Sequence, residues 1–417
     1  MVPNGWHSKP LVQLLDKIID YRGQSVPKSS SGIPLITARN VREGYLDFSN
    51  QEYVDESKFE EWMSRGTPQK GDILFTTEAP LGKACRFPSE GMYAVGQRTV
   101  TLRTNKKLDS EFLLYTILSE RGQQLIDLRS SGSTAKGIKS SELKKVKITY
   151  PESLPEQRKI AKILSTWDQA IATTERLIAT SQQQKKALMQ QLLTGKKRLV
   201  NPETGKEFEG DWKEAKLGDL ASKITKGTTP STNGFQFQEH GINFVKVESV
   251  MKSGKFDLSK FAYINEECHS AFKRSQLEQG DILFSIAGAL GRTALVTKNI
   301  LPANTNQALS IVRLKKHLSN VEFVLHYLNS SAVAAIIKGL TAQAAQPNLS
   351  LKDVGNLLIE LPSMQEQQKI ASVLSAADQE IELLEAKLAH LKDEKKALIQ
   401  QLLTGKRRVK VEVTEAA

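Results

Sequence analysis

Apolar side chains recur in two long stretches of this chain at alternating intervals of four and three. The first, Glu156 to Lys196, reads EQRKIAKILSTWDQAIATTERLIATSQQQKKALMQQLLTGK. The second, Glu366 to Lys406, reads EQQKIASVLSAADQEIELLEAKLAHLKDEKKALIQQLLTGK. In the first, the seam runs Ile160, Leu164, Trp167, Ile171, Thr174, Ile178, Ser181, Lys185, Leu188, Leu192. In the second it runs Ile370, Leu374, Ala377, Ile381, Leu384, Leu388, Leu391, Lys395, Leu398, Leu402. A strict seven-residue period predicts two coiled-coil helices. About half of the paired positions are identical, and nearly all of the last dozen, so the stretches are copies of one element.

The ends of both copies carry helix punctuation. Ser153 with Glu156, and Ser363 with Glu366, form capping-box patterns in which side chain and backbone satisfy each other reciprocally. Pro155 suits a first helical turn. Gly195 and Gly405, followed by Lys and Arg, suit C-terminal caps. Each helix should be roughly 55–60 Å long at 1.5 Å per residue.

Shorter patterns fill the rest. In 1–152 the spacing predicts a short helix over Leu11 to Asp20, a strand over Ile33 to Ile36 and a short helix over Ser57 to Met63. It predicts further strands over Gly71-Asp72-Ile73-Leu74-Phe75, Ala94 to Leu102 and Val146 to Tyr150, and a helix over Glu111 to Leu128. Residues 211–362 repeat this outline. Trp212 answers Trp6, Lys226 to Ser231 answers the loop Arg22 to Lys28, and Gly280-Asp281-Ile282-Leu283-Phe284 answers Gly71 to Phe75. Gly291 answers Gly82, Gln307 answers Gln97, and Thr341 to Ser350 answers Ser133 to Ser140. The expected order is therefore a globular domain (1–152), a spacer helix (153–197), a polar linker (198–210), a second globular domain (211–362), a second spacer helix (363–406) and a frayed tail (407–417). The fold class is α+β, with two similar globules joined by two long helices. Antiparallel pairing of the helices, with an approximate twofold within one chain, needs the shorter connections.

Charge changes the picture. The 417 residues are 25% charged and 39% hydrophobic, an ordinary globular composition, but the net charge is +12. With a pI near 9.4, that excess points to a polyanionic partner such as nucleic acid. Cys85 and Cys268 are the only cysteines and lie far apart, which suits a reducing cytoplasm. No leader-like apolar core opens the chain, and no apolar run reaches the ~20 residues of a membrane span; a cytoplasmic protein without membrane contact is expected.

Catalytic motifs do not emerge. Thr194-Gly195-Lys196 lacks the upstream glycine of a phosphate loop, and no [ND]-P-P-[FY] stretch marks an amino-methyltransferase. Gly288-Ala289-Leu290-Gly291 reads as a tight turn, and the scattered histidines have no metal-ligand spacing. No catalytic residue, resident cofactor or metal is expected, which argues against a fused nuclease or methyltransferase. Binding chemistry remains. Loop cations can neutralise phosphates, and Arg, Asn and Gln can read base edges. The candidates in the first domain are Arg22, Gln24, Ser25, Lys28, Arg39, Lys83, Arg98, Lys136 and Lys139. Those in the second are Lys226, Thr228, Thr229, Ser231, Lys246, Arg292, Asn306, Gln307, Gln343, Gln346 and Asn348. Any one of them is also a residue that a solvated turn carries. A non-catalytic DNA-binding coiled-coil scaffold of another complex is the alternative function.

The duplicated plan, GDILF followed by glycine in both halves, Gly23 to Pro27 and Gly227 to Pro230, Pro347-Asn348-Leu349-Ser350, and the EQxKIAxxL and QQLLTGK helix ends together resemble the specificity subunit of type I restriction–modification enzymes. Ala135-Lys136-Gly137-Ile138 departs from the Pro-Asn-like phrase of that family. The resemblance covers the whole chain. It implies two target-recognition domains, each reading half of a split DNA sequence, with the helices as spacer. It also implies two modification subunits that use S-adenosylmethionine to methylate adenine N6, and restriction subunits that use ATP with Mg2+, in a prokaryotic cytoplasm.

Overall fold

A computed structural model describes residues 2–23, 25–88, 90–132, 136–342 and 347–411. The chain divides into two units, one comprising 1–175 with 386–417 and the other 176–385. The first opens with β1 (Trp6–Pro10) and, after a tight turn, β2 (Leu15–Asp20). β3 (Lys28–Ser29), β4 (Ile33–Ile36), β5 (Glu52–Val54), α1 (Glu56–Trp62), β6 (Ile73–Thr76), β7 (Ala84–Arg86), β8 (Ala94–Val95) and β9 (Thr99–Thr104) follow. Then come α2 (Ser110–Leu118), α3 (Glu120–Asp127), α4 (Ser140–Leu143), β10 (Lys147–Pro151) and the long α5 (Leu154–Leu192). One sheet has the order β2-β9-β6-β7, a second β3-β5-β4-β8, and β1 pairs with β10.

The second unit repeats the plan with β11 (Lys213–Lys216), α6 (Leu217–Leu220), β12 (Ala221–Lys226), β13 (Ile242–Val245), β14 (Ala262–Ile264), α7 (Glu266–Ala271), β15 (Ile282–Ser285), β16 (Thr293–Leu295), β17 (Ala303–Thr305) and β18 (Leu309–Leu314). It closes with α8 (Val321–Leu328), α9 (Ser331–Thr341), α10 (Leu351–Gly355), β19 (Leu358–Leu361) and the long α11 (Met364–Leu402). Its sheets have the orders β12-β18-β15-β16 and β14-β13-β17, and β11 pairs with β19.

The repeated GDILF phrase is explained by burial on two faces. Ile73 and Phe75 enter one core with the helices, while Leu74 enters a second core beneath the other sheet. Ile282 and Phe284 part from Leu283 in the same way. A strand covered on both sides needs a continuous apolar run. The aspartate is structural: Asp72 is chelated by Arg103 at 2.8–2.9 Å and Asp281 by Arg313 at 2.7–2.8 Å, each pair joining neighbouring strands. Trp6 packs edge-on against Phe112 and Trp212 against Phe323, at 6.2 and 6.3 Å, so both tryptophans anchor corresponding helices.

In the first unit the start of α5 packs with the end of α11: Ile160, Leu164 and Leu402 share one core, joined by Leu398. In the second, Leu192 shares a core with Ile370 and Leu374, joined by Leu188. Within each unit the helices therefore run antiparallel. Trp167, Ile171, Ile178, Leu384, Leu388 and Leu391 are half-buried, and Ile381 is buried, so the heptad positions form the shielded stripe along both helices.

The helix starts differ from a full capping box. Ser153 and Ser363 do accept from the Glu156 and Glu366 amides, at 3.4 and 3.3 Å. The glutamates do not reach back. Glu366 is held by Arg198 through two bonds of 2.6 and 2.7 Å, and Glu156 by Arg408 with the same two distances. A bidentate guanidinium outcompetes a single backbone amide for a carboxylate. The neighbouring Gln157 accepts from the Asp109 amide at 2.7 Å, and Gln367 from the Asn320 amide at 2.9 Å, fastening each helix to its globule. Gly195 and Gly405 end the helices at φ +66 and +70, and a side chain on Gly405 would lie 2.7 Å from Pro3.

Several expectations need correction. Leu11 to Asp20 is a turn and a strand rather than a helix, because β2 pairs with β9; a bulge between Leu15 and Lys17 shifts the alternation into helix-like spacing. The strand expected over Ala94 to Leu102 is interrupted, with Gly96 between β8 and β9. The helix expected over Glu111 to Leu128 breaks at Ser119, whose side chain caps α3. The linker 198–210 folds as a small hairpin, with Val200 bridging Glu207 and Phe208 buried. The tail is ordered at Arg408, which also donates to the Asn4 carbonyl at 2.8 Å.

Replacing Glu366 by Ala would leave Arg198, whose side chain is 20% exposed, facing a vacated buried site. The expected loss is roughly 3–5 kcal/mol in chemical denaturation, toward the lower end because water reaches the arginine. Glu156→Ala should cost less, because Arg408 is 48% exposed. Equal losses would contradict this account of the pairs.

Candidate nucleic-acid interface

At one edge of each unit four loops meet. In the first unit the Thr77 amide donates to Arg98 O at 2.9 Å and the Ile138 amide to Thr77 O at 2.9 Å. The Gly96 amide donates to Ile36 O at 2.8 Å. The second unit has the same lattice: Ile286 to Ala308 at 2.9 Å, Leu349 to Ile286 at 2.9 Å, and Asn306 to Val245 at 3.3 Å. Backbone bonds thus hold the segments after β4, β6, β8 and α3, and their counterparts after β13, β15, β17 and α9, side by side.

Lys28, Arg39 and Arg98 line one cleft of 330 Å³, together with Thr37, Glu52 and Gln97. Lys28 lies 2.9 Å from Glu52, and Arg98 3.0 Å from Glu78. Lys136 lies 2.6 Å from Asp127, and Lys83 pairs with Glu43 away from the cleft. Such half-exposed pairs are worth about 0–1 kcal/mol, so these cations can exchange a carboxylate for a phosphate at little cost. Lys139 and Ser25 are exposed. Gln24 lies outside the described residues, as do Gln343 and Gln346.

Arg22 has another task. Its guanidinium donates to Asp20, at 2.6 Å from Nη2, and to the Ile138 carbonyl at 3.0 Å. Burial opposes the charge on Asp20, but the Arg22 hydrogen bonds and charge, with Arg65, outweigh it and hold the carboxyl below its usual range. Arg22 therefore staples a loop to β2 instead of facing solvent. The loop equivalence also shifts: Lys226 pairs with Ser310 where Asp20 pairs with Val100, so Lys226 corresponds to Asp20 and not to Arg22.

In the second unit Thr229 donates to the Gln307 side chain, and Arg274 to Thr228 at 3.3 Å. Gly227 passes so close to Thr305 that a Cβ would lie 1.9 Å from its carbonyl oxygen, which explains a glycine there. Lys226, Ser231, Gln307 and Asn348 are exposed. Lys246 sits 4.9 Å above the Phe237 ring. Arg292 donates to the Val250 carbonyl at 3.0 Å, tying its turn to the segment after β13, and Asn306 accepts from the Ala308 amide at 3.3 Å within its own loop. Among the described residues no group of three or more His, Cys, Asp or Glu is placed to hold a metal ion.

A sequence profile described as the type I restriction modification DNA specificity domain matches residues 23–180 and again 209–393. The chain belongs to that type I specificity family. Similar family members include the type I restriction enzyme MjaIX specificity subunit of Methanocaldococcus jannaschii, 26% identical over 98% of this chain and 95% of its own length. The EcoKI specificity subunit of Escherichia coli is 23% identical over 88% of this chain and 81% of its own. A crystal structure of a type I restriction–modification S subunit from M. genitalium matches with TM-score 0.60 at 16% identity, covering 96% of this chain and 97% of that one. A chain from a structure on type I complex assembly and conformational transition matches with TM-score 0.57 at 17% identity, over 98% and 100%. At these identities the structures speak to the fold. Among the described residues no single helix of this type I specificity chain is long and apolar enough to cross a membrane. The apolar α8 and α9, bent by 53°, bury Phe323, Val324 and Val333 in the core.

Sequence patterns missed the polar contacts across the helices. The seam lysines Lys185 and Lys395 pair with Asp378 and Asp168 of the opposite helix. Tyr115 Oη donates to Asp168 at 2.6 Å, and His326, at Tyr115's equivalent in the second unit, bonds Ser375 at 3.2 Å with Asp378 4.0 Å away. The repeated Asp-Gln and Lys-Lys-Ala-Leu phrases were the available signal.

Burial first, and then the charge of Lys185, push His326 down to about 4, against the opposing pull of Asp378. In the unfolded chain its value returns to about 6.5, so between those limits the unfolded state binds the extra proton and the fold loses stability as pH falls. The expected loss is on the order of 3 kcal/mol at most. His326→Gln should flatten the pH dependence of unfolding of the second unit between pH 6.5 and 4, measured by denaturation midpoints. An unchanged slope would contradict a neutral His326.

Proposed function

We propose that the chain is the DNA sequence-specificity subunit of a type I restriction–modification complex, each globular unit reading one half of a bipartite, gapped target. One observation carries this reading. The two units share the backbone lattice behind the loops, whereas side chains at equivalent points on it differ: Arg98 and Gly137 in one stand where Ala308 and Asn348 stand in the other. A common scaffold with divergent edges suits two different half-sites. Loop cations fix register on phosphates, and polar tips read base edges.

The repeated helices would serve what is common to both halves. Their matching faces suit two copies of one modification subunit, an adenine-N6 methyltransferase that uses S-adenosylmethionine and flips its adenine out of the duplex. Restriction subunits using ATP with Mg2+ complete the assembly. The chain itself would be non-catalytic, hold no cofactor, and act in a prokaryotic cytoplasm.

In this reading the helices set the gap. Removing one heptad from each, 174–180 with 384–390, shortens both by about 10 Å. The recognised gap should shrink by roughly three base pairs, at 3.4 Å each, as read by sequencing DNA methylated by the assembled complex. Retained recognition with an unchanged gap would overturn the spacer role.

A further inference from the structure

One position differs in sign between the two units while its setting is the same. The strand β4 ends at Ile36, whose carbonyl accepts from Gly96; β13 ends at Val245, whose carbonyl accepts from Asn306. Three residues further on in each case stand Arg39 and Glu248.

Both are carried on a pinned turn. After Arg39, the 1% exposed Asn40 is fully used. Its Oδ1 accepts from the Thr37 amide at 2.9 Å and hydroxyl at 2.8 Å, and its Nδ2 donates to the Asp47 and Asn50 carbonyls at 2.9 and 3.0 Å. After Glu248, the buried Ser249 accepts from the Lys246 amide at 3.4 Å and donates to the Lys260 carbonyl at 3.0 Å. The turns continue alike: the Asp47 amide donates to Asn40 O, and the Asp257 amide to Ser249 O, both at 2.8 Å. A side chain presented from so fixed a backbone loses little entropy on meeting a partner.

Both side chains are open. Arg39 is exposed, and among the described residues no hydrogen bond or ion pair engages its guanidinium. It lies in the cleft beside Gln97 and Arg98. Glu248 is 54% exposed; its ion pair with Lys246 Nζ is 3.9 Å long, beyond hydrogen-bonding distance and open to exchange. A carboxylate on a DNA-facing edge is repelled by phosphates. It is tolerated there if it meets a base donor, and cytosine N4 is the donor that carboxylates accept from in the major groove. An unengaged arginine matches the paired acceptors of guanine.

Resting on the reading of the chain as a bipartite DNA reader, we propose that this shared position carries a base-reading residue in each half. Arg39 hydrogen-bonds the guanine O6 and N7 of one G·C pair, and Glu248 accepts from the cytosine N4 of a G·C pair in the other half-site. The equivalent turns give the two domains one reading position with opposite chemistry.

The test uses the full chain copurified with its cognate modification subunit and selection from random duplex DNA, for wild type, Arg39→Gln and Glu248→Gln. Discrimination at a single G·C pair should fall roughly ten- to a hundred-fold in each variant, in different half-sites, with the salt dependence of binding unchanged. For Arg39→Gln, a uniform loss across all sequences with a shallower salt slope would make Arg39 a phosphate contact and overturn the proposal. For Glu248→Gln, tighter binding to every duplex with an unaltered target would make the carboxylate merely repulsive, and would overturn it too. Unaltered targets and affinities would do the same. If instead the wild type selects no split target, the bipartite reading itself fails. Both side chains are exposed, so equal melting of variants and wild type checks that folding is not the cause.

Discussion

The rest of the structure depends on a carboxylate at the start of each long helix that meets an arginine just past the end of the other. Glu366 is fully buried and Glu156 nearly so, and each is chelated by two short bonds from Arg198 or Arg408. A buried carboxylate without a partner is strongly unfavourable, so the helices cannot slide or reverse without leaving one. The adjacent glutamines transmit that fixed register to the globules through the Asp109 and Asn320 amides. The most nearly identical phrases of the two repeats are therefore the ones that interlock.

Charge is used in two ways. The pairs inside the fold, Arg103 with Asp72 and Arg313 with Asp281, have aspartates exposed by 2% or less and hold strands together. The pairs at the loop edge, Lys28 with Glu52 and Arg98 with Glu78, are solvated and exchangeable. In the proposed reading, DNA meets the second kind at the loop edge, and the first kind holds the fold behind it. The cationic excess of the sequence is consistent with that division.

The long helices and GDILF strands were legible because periodicity and continuous apolar runs are local signals. Leu11 to Asp20 was not, since a bulge at Leu15 to Lys17 imitates helical spacing until pairing with β9 is known. The loop residues were legible as a set but not in their individual roles. Arg22 is withdrawn by Asp20 and the distant Ile138 carbonyl, while Arg39 is left open by a turn that Asn40 completes across to Asn50. Glu248 carries no such signal in the sequence, because an acidic residue does not fit a phosphate contact; its significance comes only from standing where Arg39 stands. Arg274 likewise reaches Thr228 from a segment with no sequence cue.

Two globules on one scaffold should read two halves of one DNA sequence. Selection from random duplex DNA, using the full chain with its cognate modification subunit, tests this most directly. The expected result is a split motif with a fixed gap and an adenine available for methylation in each half. A single ungapped motif, or binding abolished by modest salt without any enrichment, would contradict it.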